Sequence, residues 1–186
     1  MLNRFNPERI EIRLAGEGGQ GMILAGIILA EAAAIYEGKK VIQSQSYGPE
    51  ARGGASKAEV VIGNTEIDFP EVIRADVLVA LSQEACDRYA TNVKKGGIII
   101  VDEEKVGRVP VTNAYKVPIT RLAVESTGKA ITANVVALGV LVGLTHVVHP
   151  ESIEKAVLAR APKGTEEMNR KALAEGFAVV DRLTED

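Results

Sequence analysis

A glycine-rich segment near the start of the chain constrains the fold more than any other feature. The sequence Gly-Glu-Gly-Gly-Gln-Gly over residues 16–21 follows a strand-like stretch that ends at Ala15, and a long apolar stretch begins at Met22. Glycines at 16, 18 and 21 have the spacing of the turn that joins a strand to a helix in dinucleotide-binding folds. Glycine allows such a tight turn and the close approach of a ligand or of another backbone. The segment therefore predicts a strand, a turn over Gly16–Gly21 and a helix, in that order.

Unpaired amides at the start of that helix would attract an anion, helped by the helix dipole. The candidate binding residues are Gly16, Gly18, Gly19, Gln20 and Gly21. A dinucleotide site also needs an acidic residue at the end of the second strand, to bind the ribose. The second strand is predicted over residues 40–45 and ends on Ser and Gln. The turn is therefore suited to a phosphate or to a packed backbone, and poorly suited to NAD.

Strand-like and helix-like segments alternate along the chain, which favours an α/β fold. We expect a Rossmann-like open, mostly parallel sheet with helices on both faces and a helical C-terminal part. A helix that begins after Ser82 is expected to run to about Lys94 and to stop at Gly96-Gly97, before a strand over residues 98–102. No linker or repeat divides the sequence, so we predict a single domain over residues 1–186.

A helix predicted from Ile131 to Val147 carries no charged residue. Its glycines and polar residues, and the lack of Trp or Tyr at either end, speak against a membrane span. A helix that is apolar on all sides is hard to bury within one small domain, so we expect a partner chain to cover it. Gly139 and Gly143 lie one turn apart and would let a partner backbone approach closely. Without that partner, we expect the isolated chain to self-associate.

Composition excludes several functions. A formal net charge of -3 and an aromatic content of 4% give no electrostatic case for nucleic-acid binding. The single cysteine, Cys86, cannot form an internal disulfide or hold an iron–sulfur cluster, and we expect it to pack as a small apolar residue. His146 and His149 have no carboxylates at metal-ligand spacing, so no metal site is predicted. The first residues lack the apolar core of a signal peptide, which favours a cytoplasmic location.

A second segment, residues 46–54, combines turn residues with functional side chains. It follows a predicted strand at its carboxyl end, where open α/β sheets place their ligand sites. Arg52 could hold a carboxylate or phosphate through two parallel hydrogen bonds, or it could pair with Glu50. We predict that this segment docks on a partner or lines a shared site, with Tyr47, Glu50, Arg52 and Gly53 as candidates. A plain surface turn is the alternative.

Four segments together resemble the gamma subunit of the 2-oxoacid:ferredoxin oxidoreductases, over nearly the whole chain and in the right order. Two are the glycine-rich segments at 16–21 and 46–54; the others are Asn-Val-Val-Ala-Leu-Gly at 134–139 and Pro-Lys-Gly at 162–164, followed by Asn169, Ala172-Leu173 and Gly176. The form Tyr-Gly-Pro-Glu-Ala-Arg-Gly-Gly is most similar to the 2-oxoglutarate-type gamma chains. The resemblance adds Asn134 and Gly139 as interface or shared-site residues.

The resemblance implies an oxidoreductase in which other subunits carry out the chemistry. The family's enzymes convert a 2-oxoacid, coenzyme A and oxidised ferredoxin into acyl-CoA, CO2 and reduced ferredoxin. They use thiamine diphosphate with magnesium, and iron–sulfur clusters. This chain has one cysteine and no Gly-Asp-Gly segment of the thiamine-diphosphate type. These cofactors are therefore expected in alpha and beta partner subunits, with a ferredoxin-like delta subunit as a further candidate, and no catalytic or metal-binding residue is expected here.

The preferred functional interpretation leaves three alternatives open. The preferred interpretation is a non-autonomous subunit of a 2-oxoglutarate enzyme that shares in binding a coenzyme A phosphate at residues 16–21. The subunit could instead be purely structural, or serve an enzyme for pyruvate, branched-chain 2-oxoacids or indolepyruvate. A free-standing nucleotide-binding enzyme is the third alternative. The absence of an acidic residue for the ribose at the end of the second predicted strand disfavours it.

Overall fold

A computed structural model of the chain describes residues 8–47, 55–111 and 114–185, which form a sheet flanked by helices. The strands are β1 (Ile10–Glu17), β2 (Lys40–Ser46), β3 (Ala55–Gly63), β4 (Ala75–Ala80), β5 (Val93–Asp102) and β6 (Ala114–Val117). The α-helices are α1 (Met22–Glu31), α2 (Gln83–Tyr89), α3 (Ile119–Thr127), α4 (Ala133–Thr145), α5 (Pro150–Arg160) and α6 (Glu166–Glu185). A π-helix over Ala32–Tyr36 extends α1, and 3-10 turns at Ala90–Asn92 and Ala130–Thr132 follow α2 and precede α4.

The sheet has six strands in the order β2-β3-β1-β4-β5-β6. Strands β1, β4, β5 and β6 pair in parallel, whereas β3 runs antiparallel to both β1 and β2. Every strand except β3 therefore points the same way, and the predicted open, mostly parallel sheet is confirmed. Because β3 separates β1 from β2, the end of β2 is not next to the glycine-rich turn. The sequence lacks an acidic residue at the end of β2 that could bind a ribose. The strand order shows in addition that a residue at this position would not lie next to the turn.

The two faces of the sheet carry different numbers of helices. One face holds α1 and α3–α6, with Leu14 and Val79 among the strand residues of their shared core. The other face holds α2, which packs on Leu78 and Val101. Cys86 of α2 is fully buried in this second core, so its prediction as a small apolar packing residue is confirmed. Burial raises the pKa of its thiol, which keeps it in the protonated, unreactive form.

Helix α4 lies inside this chain, with every residue from Ala133 to Val142 buried. Helix α6 crosses it so closely that a Cβ on Gly139 would lie 2.5 Å from the Leu173 carbonyl oxygen, and one on Gly176 would lie 2.3 Å from that of Val136. The expectation that a partner chain must cover this helix is wrong, because α6 of the same chain makes the close approach. The basis for self-association through α4 is removed with it. None of the helices in the described ranges is long and apolar enough to cross a membrane.

Two predicted boundaries are wrong, both at glycines. Strand β1 does not end at Ala15, because Gly16 and Glu17 still pair with β3; the turn is therefore shorter, over Gly18–Gly21. Helix α2 does not reach Gly96-Gly97, because β5 already begins at Val93 and passes through them. The pairing of β5 with β4 changes register at this point, and Gly96 has a φ of +82°. The glycine pair accommodates this bulge-like irregularity in the pairing and does not end a helix.

A buried carboxylate joins α5 to the segment that follows α1. The Glu37 side chain is 8% exposed, forms an ion pair with Lys39 at 2.8 Å, and accepts a hydrogen bond from the His149 amide at 2.5 Å. Burial by itself raises the pKa of Glu37, but hydrogen bonds from Lys39, the His149 amide and Ser152 outweigh it and lower the pKa below its ordinary value of 4.5. The folded state therefore favours the ionised form of this side chain.

Replacing Glu37 with Gln should remove a pH-dependent part of the stability. Because the pKa is lowered in the folded chain, this contribution is complete above pH 4.5 and is lost as the pH falls through the lowered pKa. We expect Glu37→Gln to reduce the free energy of unfolding by about 1–2 kcal/mol at pH 7, and by progressively less below pH 4.5. Urea unfolding across this pH range measures the difference. The same substitution at exposed Glu125 serves as control, and a difference that is constant with pH would contradict the assignment.

The crossing of α4 and α6 predicts that Gly176→Ala destabilises the chain. The added methyl group would meet the Val136 carbonyl oxygen at 2.3 Å, so the helices must separate. Because the three nearest atoms are all backbone, we expect a cost of about 2–3 kcal/mol, at the upper end of the usual range for overpacking, which exceeds the gain of about 1 kcal/mol in helix propensity. Thermal unfolding should give a lower Tm for this variant. Gly107→Ala, where a Cβ meets nothing within 4 Å, is the matched control. An unchanged Tm for Gly176→Ala would contradict the tight crossing.

Candidate functional site

The turn over Gly18–Gly21 has an open tip at the edge of the sheet where the parallel strands end. A Cβ on Gly18 or Gly19 would meet nothing within 4 Å, and Gly19 has a φ of +92°. No backbone carbonyl among the described residues accepts a hydrogen bond from the amides of Gly18, Gly19 or Gly21. Helix α1 follows directly, with no side-chain cap and no acidic residue in its first turn. The tip therefore presents amides and the positive end of a helix to solvent, an arrangement that attracts anions.

Gln20 fixes the base of the turn. Its backbone amide donates to the Glu17 carbonyl at 3.2 Å, so the turn amides without a backbone partner in the described part of the chain are those of its glycines. Its side-chain Oε1 accepts from the Glu17 amide at 2.7 Å, and its Nε2 donates to the Leu81 carbonyl at the end of β4 at 2.9 Å. A Cβ on Gly16 would lie 2.4 Å from that Oε1 atom. Gly16 therefore makes room for Gln20, and both are structural supports behind the turn.

Asn134, in the first turn of α4, supports the turn from the other side. It is 5% exposed, and its Nδ2 donates to the Gly21 carbonyl at 3.3 Å. A Cβ on Gly21 would lie 2.6 Å from that nitrogen. The structure thus brings Asn134 together with the glycine turn, whereas Gly139 lies deeper in α4, against α6. A role of Asn134 at an interface or shared site stays a prediction.

Neighbouring strand ends at this edge carry polar groups that cap helices. Ser82, after β4, accepts from the Ala85 amide at 3.2 Å and caps α2, as its position in the sequence indicates. Asp102, at the end of β5, is fully buried and accepts from the amides of Thr120 at 2.9 Å and Glu104 at 3.1 Å. The capping role of Asp102 is new from the structure; an Asp as the last residue of a buried strand is the signal for it. Both side chains are thus engaged within the chain.

The register of the sheet places both described flanks of the second informative segment at the same edge. Tyr47 follows β2 and is 70% exposed, and Ala55, where β3 begins, pairs with Glu17 directly before the turn. The Ala55 end of the segment 48–54 therefore lies beside the glycine turn, whereas its Tyr47 end lies at the same end of the sheet, two strands away. Glu50, Arg52 and Gly53 are outside the described residues, so their predicted roles stay predictions.

A buried ionic network on the α2 face has no counterpart in the sequence predictions. Arg13 of β1 forms an ion pair with Glu59 of β3 at 2.6 Å, with both side chains less than a tenth exposed. Arg13 also donates to the Val72 carbonyl at 2.6 Å and lies 5.0 Å from the ring centre of Tyr89. The signal was the alternation of Glu11 and Arg13 with apolar residues in β1. The network fixes the connection between β3 and β4, and the described residues contain no cluster of metal ligands.

Comparisons with known proteins extend over most of the chain. Residues 11–179 match the sequence profile of the family described as pyruvate ferredoxin/flavodoxin oxidoreductase. The 2-oxoglutarate synthase subunit KorC of Methanocaldococcus jannaschii is 54% identical over 188 residues, which cover 98% of this chain and 100% of that protein. The ketoisovalerate oxidoreductase subunit VorA of Methanothermobacter thermautotrophicus is 40% identical over 139 residues, which cover 74% of this chain and 28% of that protein.

A solved structure shares both fold and sequence with this chain. The gamma subunit of a keto/oxoacid ferredoxin oxidoreductase from Geobacter sulfurreducens superimposes with a TM-score of 0.85 at 49% identity. The superposition covers 94% of this chain and 97% of that subunit. The arrangement of sheet, turn and helices described above is therefore that of a known type of subunit.

Proposed function

This chain belongs to the pyruvate ferredoxin/flavodoxin oxidoreductase family, and we propose that it is the gamma-type subunit of a 2-oxoglutarate:ferredoxin oxidoreductase. The observation that carries the proposal is the 54% identity to a 2-oxoglutarate synthase subunit over nearly the full length of both chains. The similarity to a ketoisovalerate enzyme subunit is lower and covers 74% of this chain, so 2-oxoglutarate is favoured over branched-chain 2-oxoacids. The complete enzyme would form succinyl-CoA and CO2 from 2-oxoglutarate and coenzyme A while reducing ferredoxin.

We assign the redox and decarboxylation chemistry to partner subunits. One buried cysteine cannot hold an iron–sulfur cluster, and the described residues offer no group of three metal-ligating side chains. Thiamine diphosphate, magnesium and the iron–sulfur clusters would then reside in alpha and beta subunits and in a ferredoxin-like delta subunit. The cytoplasmic location expected from the sequence belongs to the same proposal.

We assign a share of the coenzyme A site to the glycine turn. Its free amides and the uncapped start of α1 suit one of the phosphates of coenzyme A, because each amide can donate a charge-assisted hydrogen bond. The segment 46–54, whose described flanks Tyr47 and Ala55 lie at this edge, is assigned to partner contact, and Tyr47 is exposed. A purely structural subunit is the alternative. A free-standing nucleotide enzyme is disfavoured, because β3 keeps the end of β2 away from the turn.

The subunit assignment predicts that the purified chain alone does not oxidise 2-oxoglutarate with any acceptor. Activity should appear when the chain is combined with its partner subunits, coenzyme A and ferredoxin, because those subunits supply the cofactors. Reduction of ferredoxin, followed by its absorbance, measures this. The partner subunits without this chain serve as control. Turnover by the isolated chain, with partner contamination excluded, would contradict the proposal.

The coenzyme A assignment predicts a selective effect of Gly18→Ala in the assembled enzyme. The fold can accept this methyl group, which meets nothing within 4 Å and requires no left-handed backbone, but a phosphate at the amides could not approach as closely. Losing one charge-assisted hydrogen bond weakens binding by about 1.5–3 kcal/mol, so the KM for coenzyme A should rise by about tenfold or more. The KM for 2-oxoglutarate should change little. Gly19→Val should act in the same direction but also strain the turn, because Gly19 has a φ of +92°.

Gly107→Ala, another open glycine, is the matched control for the kinetic test. Size-exclusion chromatography of each variant with its partners separates loss of assembly from loss of coenzyme A binding. An intact complex with an unchanged KM for coenzyme A would rule out the glycine turn as a phosphate site.

A further inference from the structure

We propose that Asn134 is a positioning residue for coenzyme A binding: it holds the glycine turn from behind so that the free amides point in one direction. The inference rests on the proposed binding of coenzyme A at the turn. It also changes the role of Asn134, from a residue at an interface to a support inside the chain.

The hydrogen bonds and burial of Asn134 direct its side-chain amide toward the backbone of this chain. Its Nδ2 donates to the Gly21 carbonyl at 3.3 Å, and its Oδ1 accepts from the Val135 amide at 2.9 Å. The Gly21 carbonyl also accepts the first hydrogen bond of α1, from the Ala25 amide at 2.9 Å. A carbonyl oxygen can accept both bonds. Asn134 therefore adds a second donor at the point where the turn becomes a helix, and its 5% exposure keeps it out of reach of a ligand.

The turn needs such a support because its own residues provide little restraint. Gly19 and Gly21 both have positive φ values, +92° and +73°, and a glycine chain loses more conformational freedom on ordering than any other. Gln20 fixes the side of the turn that follows β1, through its bonds to Glu17 and Leu81. Asn134 fixes the side that enters α1. Without it, the Gly21 carbonyl is held only by the first hydrogen bond of α1, from the Ala25 amide.

Helix α4 gives Asn134 a rigid base. The helix is buried from Ala133 to Val142, and its contact with α6 at Gly139 leaves no space for movement along that side. Asn134 stands one turn from this contact, so its position is fixed by the core. The hydrogen bond from Asn134 thus holds the turn against the core of the chain.

Asn134→Asp in the assembled enzyme tests the role of the side chain. Asp has nearly the same size and can still accept from the Val135 amide, but as a carboxylate it cannot donate to the Gly21 carbonyl. We expect the KM for coenzyme A to rise about five- to tenfold, because one hydrogen bond behind the turn is replaced by repulsion. The kcat and the KM for 2-oxoglutarate should stay within twofold of the wild-type values. A residue that merely stabilised the fold would change all three constants together.

Asn92→Asp is the matched control, because it adds the same charge at an exposed position directly before β5, at the opposite edge of the sheet. Its kinetic constants should equal those of the wild type. If Asn134→Asp does not assemble, the neutral Asn134→Ser replaces it: a hydroxyl suits the first turn of a helix but is too short to reach Gly21. It should raise the KM for coenzyme A in the same direction.

The outcomes separate this inference from the function on which it rests. If Gly18→Ala raises the KM for coenzyme A and neither variant of Asn134 does, the positioning role is wrong and the site stands. If none of the variants changes that KM, the site itself is wrong and the positioning role falls with it. Equal changes in kcat and in both KM values for the Asn134 variants would assign Asn134 a structural role only.

Discussion

Strand β1 is paired along both sides, with antiparallel β3 on one side and parallel β4 on the other, and the site depends on this pairing. The bonds to β3 extend the strand through Gly16 and Glu17, so the turn begins only where the sheet ends. The parallel pairing with β4 brings Leu81 to the same level, where its carbonyl accepts a hydrogen bond from Gln20. Any shift in this register would move the free amides relative to both Gln20 and Asn134. The position of the turn is thus a property of the sheet.

The α2 face shows what a charged sheet surface requires. Removing one partner of a buried ion pair is strongly destabilising, because the other charge is left without compensation. Here Glu59 receives both Arg13 and Lys57, while Asp76 receives Lys94 and the Glu11 amide. No buried side-chain nitrogen or oxygen among the described residues lacks a hydrogen-bond partner. This face can therefore carry charges under the connection between β3 and β4, beside α2, while the other five helices pack on the opposite face.

The fold class and most elements could be predicted from the sequence because apolar periodicity is a local property. Which elements pack against each other depends on residues far apart in the sequence, and the wrong predictions about α4 and about residues 96–97 follow from this. The apolar pattern of α4 shows that the helix is buried, but α6, which covers it, is about forty residues away in the chain. The glycine pair at 96–97 suits a helix stop or a bulge equally well, and the pairing of β5 with β4 decides between them. At the site, the glycine spacing identified the turn, whereas the supports Gln20 and Asn134 became visible only through their hydrogen bonds.

The contact between α4 and α6 also limits which amino-acid substitutions this chain can accept during evolution. A side chain on Gly139 or Gly176 would collide with main-chain atoms of the opposite helix. Main-chain atoms are the same in every residue, so no substitution in the opposite helix can remove the collision. A replacement at either position therefore has no compensating replacement at the other, unlike the exchange of a large and a small side chain in an ordinary core. Each of the two positions should therefore remain glycine independently of the other. Suppressors of a mutation at one of them should arise elsewhere in the chain and act by raising its overall stability.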